Sequence, residues 1–411
     1  MLTRKYIFAC LMILGLTFSS IAGAANVQPT NLNYTAPATN NKTISIPNSV
    51  ITQPIDLNKF SVSKMGTINP TFAYTSITAA QMPNGKILAA WETFTANKSC
   101  VGEAVIFSSE MQPLASVYYT NPAGSYLIGE NVAFAIDNNT VLIAYADKIE
   151  HCGKYVIVND SGKIIKGPVV FNDSDITTIT LSYLPGRKTI LLAYQKLYGV
   201  TGRGEYQVLN ASGDKIWGPI IFNNKGYTTS IGAAMINGLV FLSYNCAYAK
   251  NKILDVFGNV IRDEIQFLVK SLGHNQPLAM ENGNILLVYQ SDSQQGVVSV
   301  IGPQGTVVAG PTQFTPDSVA NLAASRLNDG NIFVLYTRNE NDRQKTLFTL
   351  LDADGNRIKE LKLVHDQADV WDGMAAHVPL QNGKVLIIYG GVLKNNTGTV
   401  TQQFTNYLMV K

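Results

Sequence analysis

Several segments of this sequence carry an aromatic or polar residue shortly before a strand made of small residues. The set comprises Tyr74, Tyr126, Tyr227, His274, Trp371 and Asp372, and the equivalent place in the third segment is taken by Ile176. Aromatic faces beside Asn and Asp groups suit the binding of sugars or peptide side chains. These residues are therefore candidate ligand contacts. The alternative is that their rings cap the hydrophobic ends of the strands.

Catalytic chemistry has no comparable marker in the sequence. The chain contains no Gly-x-Ser-x-Gly elbow, no His-Glu-x-x-His motif and no phosphate-binding loop. A glycosidase needs a pair of carboxylates, which distant parts of the chain can supply, but no spacing marks such a pair. We therefore predict no catalytic residue and no cofactor, and we favour binding over catalysis.

The N-terminus has the features of a secretory signal peptide. Arg4 and Lys5 precede an apolar run that ends at Leu16, and the small residues Ala22-Gly-Ala24 follow. About 11 apolar residues are too few to cross a hydrocarbon core roughly 30 Å thick, so the run does not predict a membrane anchor. We expect cleavage near Ala24 and a secreted or periplasmic mature protein without membrane insertion.

Removal of residues 1–24 takes away two basic groups and lowers the formal net charge from +3 to +1. A nearly neutral chain without a run of basic residues does not predict the positively charged surface that binds nucleic acid. Charged residues are only 14% of the chain, and Asn, Thr, Ser and Gly supply most of the polarity. That composition is typical of strands joined by many turns.

One strand pattern occurs seven times and organises the chain. A turn with Gly or Asn leads into an apolar run that ends in an aromatic residue, as in Asn84–Trp91 and Asn282–Tyr289. The terminal aromatics are Trp91, Tyr145, Tyr194, Tyr244, Tyr289, Tyr336 and Tyr389, at intervals of 45 to 54 residues. A period near 50 residues with several short strands predicts a β-propeller. Because the aromatics recur at one position, we expect them to pack between neighbouring blades.

Each repeat divides into four antiparallel strands. The first is rich in small residues, as in Ile231-Gly-Ala-Ala234, and the second is the aromatic-ending run. The third alternates, as in Lys154–Val158, and a Gly turn such as Asp160-Ser-Gly162 follows it. The fourth carries Gly-Pro, as in Gly167–Asn172, where proline can stand at the start of an edge strand. We predict an all-β, seven-bladed β-propeller over residues 51–411.

The two chain termini predict how the propeller closes. The seventh repeat ends after its third strand, whereas Gln53-Pro-Ile-Asp-Leu-Asn58 has the form of a fourth strand. We expect this N-terminal strand to complete the last blade and so to remove an exposed sheet edge. Residues 25–50, which are rich in Thr, Asn and Pro, are interpreted as an extended lead-in.

The repeat resembles those of secreted bacterial propeller proteins with adhesin-like repeats, over residues 52–411. The residues that carry the resemblance are the Leu-Ile-Ala-Tyr145 type of strand and the Gly167-Pro-Val-Val-Phe-Asn172 type of strand. The turn Asp160-Ser-Gly162 also resembles, more distantly, the Asp-box of the sialidase superfamily, without the Ser before it and the Trp after it. Because unrelated functions share this repeat, the resemblance implies the fold alone.

Two further groups of residues belong to loops of the predicted blades. Cys100 and Cys152 begin the third strands of adjacent blades, and we hypothesise an inter-blade disulfide between them. Because His151 and Cys152 are adjacent on a strand, their side chains point apart, and we predict no metal site. Asp147, Lys148, Glu150 and His151 carry mixed charges, which indicates an ordinary solvated rim.

The sequence thus predicts a monomeric binding protein that recognises a glycan or an extracellular protein at the mouth of the propeller channel. A propeller-fold glycoside hydrolase or lyase acting on polysaccharide is the first alternative. A structural interaction module is the second.

Overall fold

The computed structural model describes residues 62–69, 76–94, 100–120, 128–184, 189–198, 201–224, 228–246, 248–255, 257–266, 273–340, 343–358, 362–363, 370–394 and 400–410. All of them belong to the unit Ser45–Lys411. Residues 1–61 lie outside the described ranges, so the expected signal peptide and lead-in stay predictions. The described part of the chain contains no helix long and apolar enough to cross a membrane.

The described residues form antiparallel sheets, numbered here I to VI. Strand β1 (Val62–Asn69) comes first in the chain, and sheet I follows with β2 (Ile77–Gln81), β3 (Ile87–Phe94), β4 (Cys100–Phe107) and β5 (Pro113–Tyr118). Sheet II contains β6 (Ile128–Ala135), β7 (Thr140–Asp147), β8 (Cys152–Asn159) and β9 (Ile164–Asn172). Sheet III contains β10 (Ile176–Leu184), β11 (Thr189–Tyr198), β12 (Thr201–Asn210) and β13 (Lys215–Asn223).

Sheet IV contains β14 (Thr229–Ile236), β15 (Leu239–Cys246), β16 (Tyr248–Asp255) and β17 (Val260–Gln266). Sheet V contains β18 (Asn275–Ala279), β19 (Ile285–Gln290), β20 (Gln295–Ile301), β21 (Val307–Arg326), β22 (Ile332–Glu340), β23 (Arg343–Leu351) and β24 (Lys362–Leu363). Sheet VI contains β25 (Val370–Pro379), β26 (Val385–Lys394), β27 (Val400–Val410) and, beside β27, strand β1.

Sheet V consists of two four-stranded units that share one long strand. Residues 307–318 of β21 pair with β20, and residues 319–326 pair with β22. The first unit, Va, therefore contains β18 to β20 and the first half of β21. The second, Vb, contains the second half of β21 with β22 to β24. Every unit then has four antiparallel strands, as the sequence predicts, and all except sheet VI, whose fourth strand is β1, are meanders of consecutive strands.

The hydrophobic core lies between consecutive units. Each cluster of buried apolar side chains combines residues of two neighbours, for example Leu88 of sheet I with Tyr145 of sheet II. One cluster joins the last sheet to the first, because Tyr407 and Met409 of β27 pack with Ile87 and Trp91 of β3. A hydrogen bond accompanies it, in which the Gln381 backbone N–H donates to Gln81 Oε1 at 2.8 Å.

An N-terminal strand pairs with the last sheet, but it is not the predicted one. Val62 lies opposite Val410 and Gly66 opposite Tyr407 in an antiparallel ladder between β1 and β27. The sequence pattern predicts residues 53–58 at this place, and they lie outside the described ranges. The pattern misled because Gln53–Asn58 has the proline and apolar residues of a fourth strand, whereas β1 lacks Gly-Pro and shares with the other fourth strands only its terminal Asn69, which lies opposite Thr405 as Asn172 lies opposite Gly153.

The burial of the third and fourth strands also differs from expectation. Strand β8 is buried along nearly its whole length, whereas the outer strand β9 alternates between partly buried and exposed residues. The third strand is covered on both faces by neighbouring units, so the alternation belongs to the fourth. The Gly-Pro pairs lie inside the fourth strands rather than at their starts. Gly167–Pro168, for example, falls where the register with β8 shifts, and proline is tolerated at such a bulge.

Candidate binding site at the crossover end

Each unit has two different ends. The first-to-second and third-to-fourth turns lie at one end, called here the turn end. The second-to-third loops and the connections from one unit to the next lie at the other, called here the crossover end. Of the predicted ligand contacts, His274, Trp371 and Asp372 belong to the crossover end. Tyr74, Tyr126 and Tyr227 lie outside the described residues.

The first strands carry a recurrent bulge near the crossover end. The register with the second strand shifts in β6, β10, β14, β21 and β25. Thr178, Ser230 and Asn321 have positive φ values of 52°, 49° and 48° at the bulges in β10, β14 and β21. A bulge bends a strand and redirects its side chains. Its recurrence indicates that these ends are shaped alike in several units.

The bulges place a polar residue in register across most units. In most units one first-strand residue pairs with the second-strand aromatic, and we compare the residue that precedes it. At the bulges of β14 and β21 two residues lie across from the aromatic, and there we compare the first of them. The positions are Ser76, Glu130, Thr178, Ser230, His274, Asn321 and Met374. Those whose side chains the structure describes are partly or fully exposed, and all of these are polar. We call the seven positions the polar collar.

Collar residues hydrogen-bond to the next unit. The Asn131 backbone N–H donates to Ser76 Oγ at 3.3 Å, which links sheets I and II. The Ile179 backbone N–H donates to Glu130 Oε2 at 2.9 Å, which links sheets II and III. Burial raises the pKa of Glu130, although the N–H groups of Ile179 and Thr178 and the charge of Lys148 act in the opposite direction.

The β7–β8 loop next to Glu130 is held in place by hydrogen bonds to the buried Asp147 side chain. Asp147 Oδ1 accepts hydrogen bonds from the backbone N–H groups of Ile149 and Glu150 at 3.1 and 3.0 Å. Its other oxygen, Oδ2, accepts from Lys154 Nζ at 2.9 Å. Lys154 Nζ also lies 2.7 Å from Glu150 Oε2. Asp147 is therefore a buried capping group. Its interpretation from the sequence as part of a solvated rim is wrong.

The loop presents three exposed side chains to solvent, namely Ile149, Glu150 and His151. His151 Nδ1 lies 2.9 Å from Asp175 Oδ2 of the β9–β10 connection, and the His151 side chain is 70% exposed. Beneath them, Lys148 Nζ donates to the Ile176 carbonyl at 2.7 Å. Burial lowers the pKa of Lys148, against the charges of Asp175 and Glu130. We call Ile149, Glu150, His151 and Asp175 the II/III rim.

One group at this loop has the composition of a metal site. Single ligand atoms of Asp147, Glu150 and Cys152 lie within 4.8 Å of one another. The Lys154 ammonium, however, already contacts both carboxylates. Burial raises the pKa of Cys152 to about 11, further than the Lys154 charge lowers it, so the sulfur is a thiol at neutral pH. A metal ion at this place would have to displace the Lys154 ammonium from both carboxylates.

Cys152 is a buried free thiol in the structure. The hypothesised disulfide between Cys100 and Cys152 is therefore not formed in the structure, although the Cys100 side chain itself lies outside the described residues. His151 and Cys152 do point apart, one exposed and the other buried, as their adjacency predicts.

The remaining sequence candidates are only partly visible. His274 directly precedes β18 and is exposed, and the protein atoms around its ring desolvate it enough to lower its pKa. Trp371 and Asp372 belong to β25 just before its bulge, but their side chains lie outside the described residues. Ile176 is fully buried in the core between sheets II and III. The structure therefore brings none of the six candidates into a described contact with another.

The second-strand aromatics are confirmed as packing residues. Trp91, Tyr145, Tyr194, Tyr244, Tyr289, Tyr336 and Tyr389 are all nearly or completely buried. Buried phenols need partners, and Tyr194 donates to Glu205 Oε2 at 3.0 Å while Tyr244 donates to Glu264 Oε1 at 2.8 Å. These rings are not available to a ligand.

Sequence reasoning missed Glu130 and misjudged Asp147. The bulges shift the crossover end of the first strands by one residue between units, so an alignment on the small residues does not bring the polar collar into one column. A usable signal was present, because a polar residue often stands directly before the small-residue strand, as Ser76 and Ser230 do.

Comparisons with known proteins bear on the fold. No protein-family model matches the chain, and no curated protein matches it in sequence. The BP39L lectin from Burkholderia pseudomallei is similar in structure, with a TM-score of 0.57 and 10% identity over 80% of this chain and 95% of that chain. The polysaccharide lyase Uly1 is similar with a TM-score of 0.52 and 10% identity, over 88% of this chain and 94% of that chain. At this identity the likeness concerns the all-β fold of antiparallel four-stranded sheets.

Proposed function

We propose that the chain is a closed, seven-bladed β-propeller that binds a glycan at its crossover end. The ring is supported by the shared hydrophobic cores, which connect every unit to the next and sheet VI to sheet I. The Gln381–Gln81 hydrogen bond supports it independently, because it joins the turns of those two sheets. With Va and Vb counted separately, the blades number seven, and β1 supplies the outer strand of the last. The N-terminal sequence supports export, so the glycan is extracytoplasmic.

The observation that carries the binding proposal is the II/III rim. Its loop is held by the buried Asp147–Lys154 pair, so the hydrogen-bonding groups above it are fixed before a ligand arrives. The rim combines an exposed aliphatic side chain, Ile149, with the carboxylates of Glu150 and Asp175 and the imidazole of His151. Sugars present hydroxyl groups and apolar C–H faces, and this surface complements both.

The sequence candidates that fall on described backbone belong to the same end of their units. His274 belongs to the polar collar, and Trp371 and Asp372 approach it along β25. The fold likeness to a lectin and to a polysaccharide lyase makes carbohydrate the preferred ligand class over a protein. It also keeps a lyase as the alternative activity, and a structural module remains the other.

Binding of the mature protein to a glycan array tests the proposal. We expect a defined set of glycans to bind, and the His151→Ala/Asp175→Asn double variant to weaken that binding about tenfold, as the loss of one or two hydrogen bonds implies. Trp371→Ala should act in the same direction. The matched control is Lys166→Met/Asp214→Asn, which removes an ion pair between the same two sheets at the turn end and should leave binding unchanged.

The same preparation distinguishes the alternatives. Release of unsaturated oligosaccharides from a polysaccharide panel would identify a lyase instead of a lectin-like protein. Absence of any glycan binding by the folded protein would reject the proposal and favour a structural module. Equal loss of binding in the rim variant and in the turn-end control would place the ligand elsewhere.

A further inference from the structure

The outer strands carry an exposed aliphatic residue at one equivalent position. Pro113, Ile164 and Lys215 occupy matching places in the ladders with the third strands, and the next residue in each is Leu114, Ile165 or Ile216. The full set is Leu114, Ile165, Ile216, Ile261, Val308 and Ile358, each between 46% and 58% exposed. Exposed apolar side chains on edge strands are a liability that proteins usually cover or avoid.

The residue at this equivalent position is not aliphatic in sheet VI, whose outer strand is the N-terminal strand β1. Val62 lies opposite Val410, so the equivalent of Leu114 is the polar Ser63. Lys64 Nζ donates to the Glu110 carbonyl in the β4–β5 turn, and β1 therefore starts next to sheet I. Val62 itself lies at the turn end, where it is opposite Val410.

Strand β5 offers an open face at this entry. Ala115 and Val117 pack towards sheet II, whereas Leu114 and Tyr118 point to the other side and are 52% and 41% exposed. Strand β5 is also the last strand of its sheet, so no described strand pairs with its outer edge. An added strand can pair with such an edge.

The segment just before β1 has the sequence pattern of an outer strand, but the outer-strand position of sheet VI is already occupied. Gln53-Pro-Ile-Asp-Leu-Asn58 matches the fourth-strand pattern, yet β1 occupies the fourth-strand position of sheet VI. We propose that residues 51–58 pair with β5 as an additional strand and cover Leu114 and Tyr118.

The geometry of the chain permits this pairing. Strand β5 runs from the turn end to the crossover end, and the segment must reach the turn end at Ser61, so the two strands are antiparallel. Four Cα steps from Asn58 to Val62 span up to about 14 Å, and stacked sheets lie about 10 Å apart. Ile55 and Leu57 are two positions apart and therefore face the same side of a strand, where they can cover Leu114.

Limited trypsin digestion of the mature chain tests the proposal. Residues 25–61 contain two cleavage sites, Lys42 and Lys59. We expect cleavage after Lys59 to be at least about tenfold slower than after Lys42, because a paired strand must open before it is cut. Leu114→Asp should make the two rates similar. Ile216→Asp, at the equivalent position of sheet III, should leave Lys59 protected.

A hydrogen-exchange measurement supplies a second readout. The β5 amides should be protected in the mature protein and exchange about tenfold faster in the Ile55→Asp/Leu57→Asp variant. Ile44→Asp is the matched control and should not change them. Cleavage at Lys59 as fast as at Lys42 in the wild type would overturn the proposal, as would a lack of effect of Leu114→Asp. Protection that depends on protein concentration would also overturn it, because a second copy would then cover β5.

Discussion

The Lys154 ammonium lies 2.9 Å from the Asp147 carboxylate, and both side chains are almost completely buried, at 8% and 1% exposure. The pair closes the β7–β8 loop, because the other Asp147 oxygen binds two backbone N–H groups of that loop. Burial alone would lower the pKa of Lys154, but hydrogen bonds to Glu150 and Asp147 raise it, so the ammonium stays charged.

Removal of the Asp147 carboxylate should therefore be costly. We expect Asp147→Ala to lower the free energy of unfolding by about 3–5 kcal/mol, since it leaves a buried lysine with only the exposed Glu150 as a partner and removes the acceptor of two loop N–H groups. Urea denaturation measures this. The control is Asp160→Ala. The side chains of Asp160 and its partner Lys86 are 26% and 35% exposed, much more than those of Asp147 and Lys154. This variant should cost under about 1 kcal/mol. Similar losses in the two variants would contradict the assignment of Asp147 as a structural cap.

Gly162 and Gly85 both have positive φ values, 78° and 88°, but their surroundings differ. A Cβ at Gly162 would lie 2.7 Å from Ala115 Cβ of the preceding sheet, whereas nothing lies within 4 Å of one at Gly85. We expect Gly85→Ala to cost about 1–2 kcal/mol of unfolding free energy from the backbone alone. Gly162→Ala should cost about 1–3 kcal/mol more, because it also pushes two sheets apart. Equal costs would show that the turn does not press on sheet I.

The thiol of Cys152 should be unreactive in the folded protein. It is buried, and desolvation raises its pKa to about 11, so little thiolate is present at pH 8. We expect iodoacetamide to modify Cys152 at least about 100-fold faster in urea than in the native protein, without any reductant. Labelling that requires reduction as well as unfolding would instead support the disulfide with Cys100.

His377 should make stability depend on pH. Its Nε2 lies 2.8 Å from Ser325 Oγ, and burial lowers its pKa to about 4. The neutral ring is therefore favoured by folding, so its contribution is complete above the unfolded pKa near 6.5 and is lost as the pH falls towards 4. The loss amounts to at most about 3 kcal/mol.

Urea denaturation of the wild type and of His377→Gln between pH 7.5 and pH 4.5 measures that contribution. We expect the wild type to lose more stability over this interval than the variant does, because glutamine does not titrate. Parallel curves for the two proteins would show that His377 is accessible to protons in the folded state.

Deletion of β1 should open the ring that we propose. Its Ile68 packs in the cluster shared by sheets VI and I, and its backbone pairs with β27. A chain that starts at residue 70 should lose at least about 3 kcal/mol of stability and expand in small-angle scattering, since a core side chain and a strand edge are both lost. A chain that starts at residue 45 is the control. Unchanged dimensions after deletion of β1 would argue against closure by this strand.

Much of the fold was predictable because its signals are local. An apolar run from Ile285 to Tyr289 needs cover on both faces, and its recurrence every 45 to 54 residues requires a repeated unit that provides that cover. The burial of Trp91 and Tyr145 followed from the same recurrence. The placement of Gly167–Pro168 at a bulge did not, since a strand start and a bulge tolerate proline equally well.

The site was much less predictable, because its residues meet across units. Glu130 and the Ile179 N–H that it binds are 49 positions apart, and no spacing rule connects them. Asp147 and Lys154 are closer in sequence, but a mixed-charge loop is more often solvated than closed by a buried ion pair. The sequence likewise did not reveal that the strand paired with β27 begins at Val62 and not at Gln53, because that pairing depends on the tertiary structure.

The sequence by itself determined the strand-rich repeat, its period and the burial of one aromatic per unit, because periodicity and turn chemistry act over a few residues. Only the tertiary structure decided which polar groups face solvent and which are buried as pairs. The physical reason is that the cost of burying a charge depends on its neighbours in space. Those neighbours, such as Lys148 beside Glu130 or His151 beside Asp175, are set by how adjacent units stack.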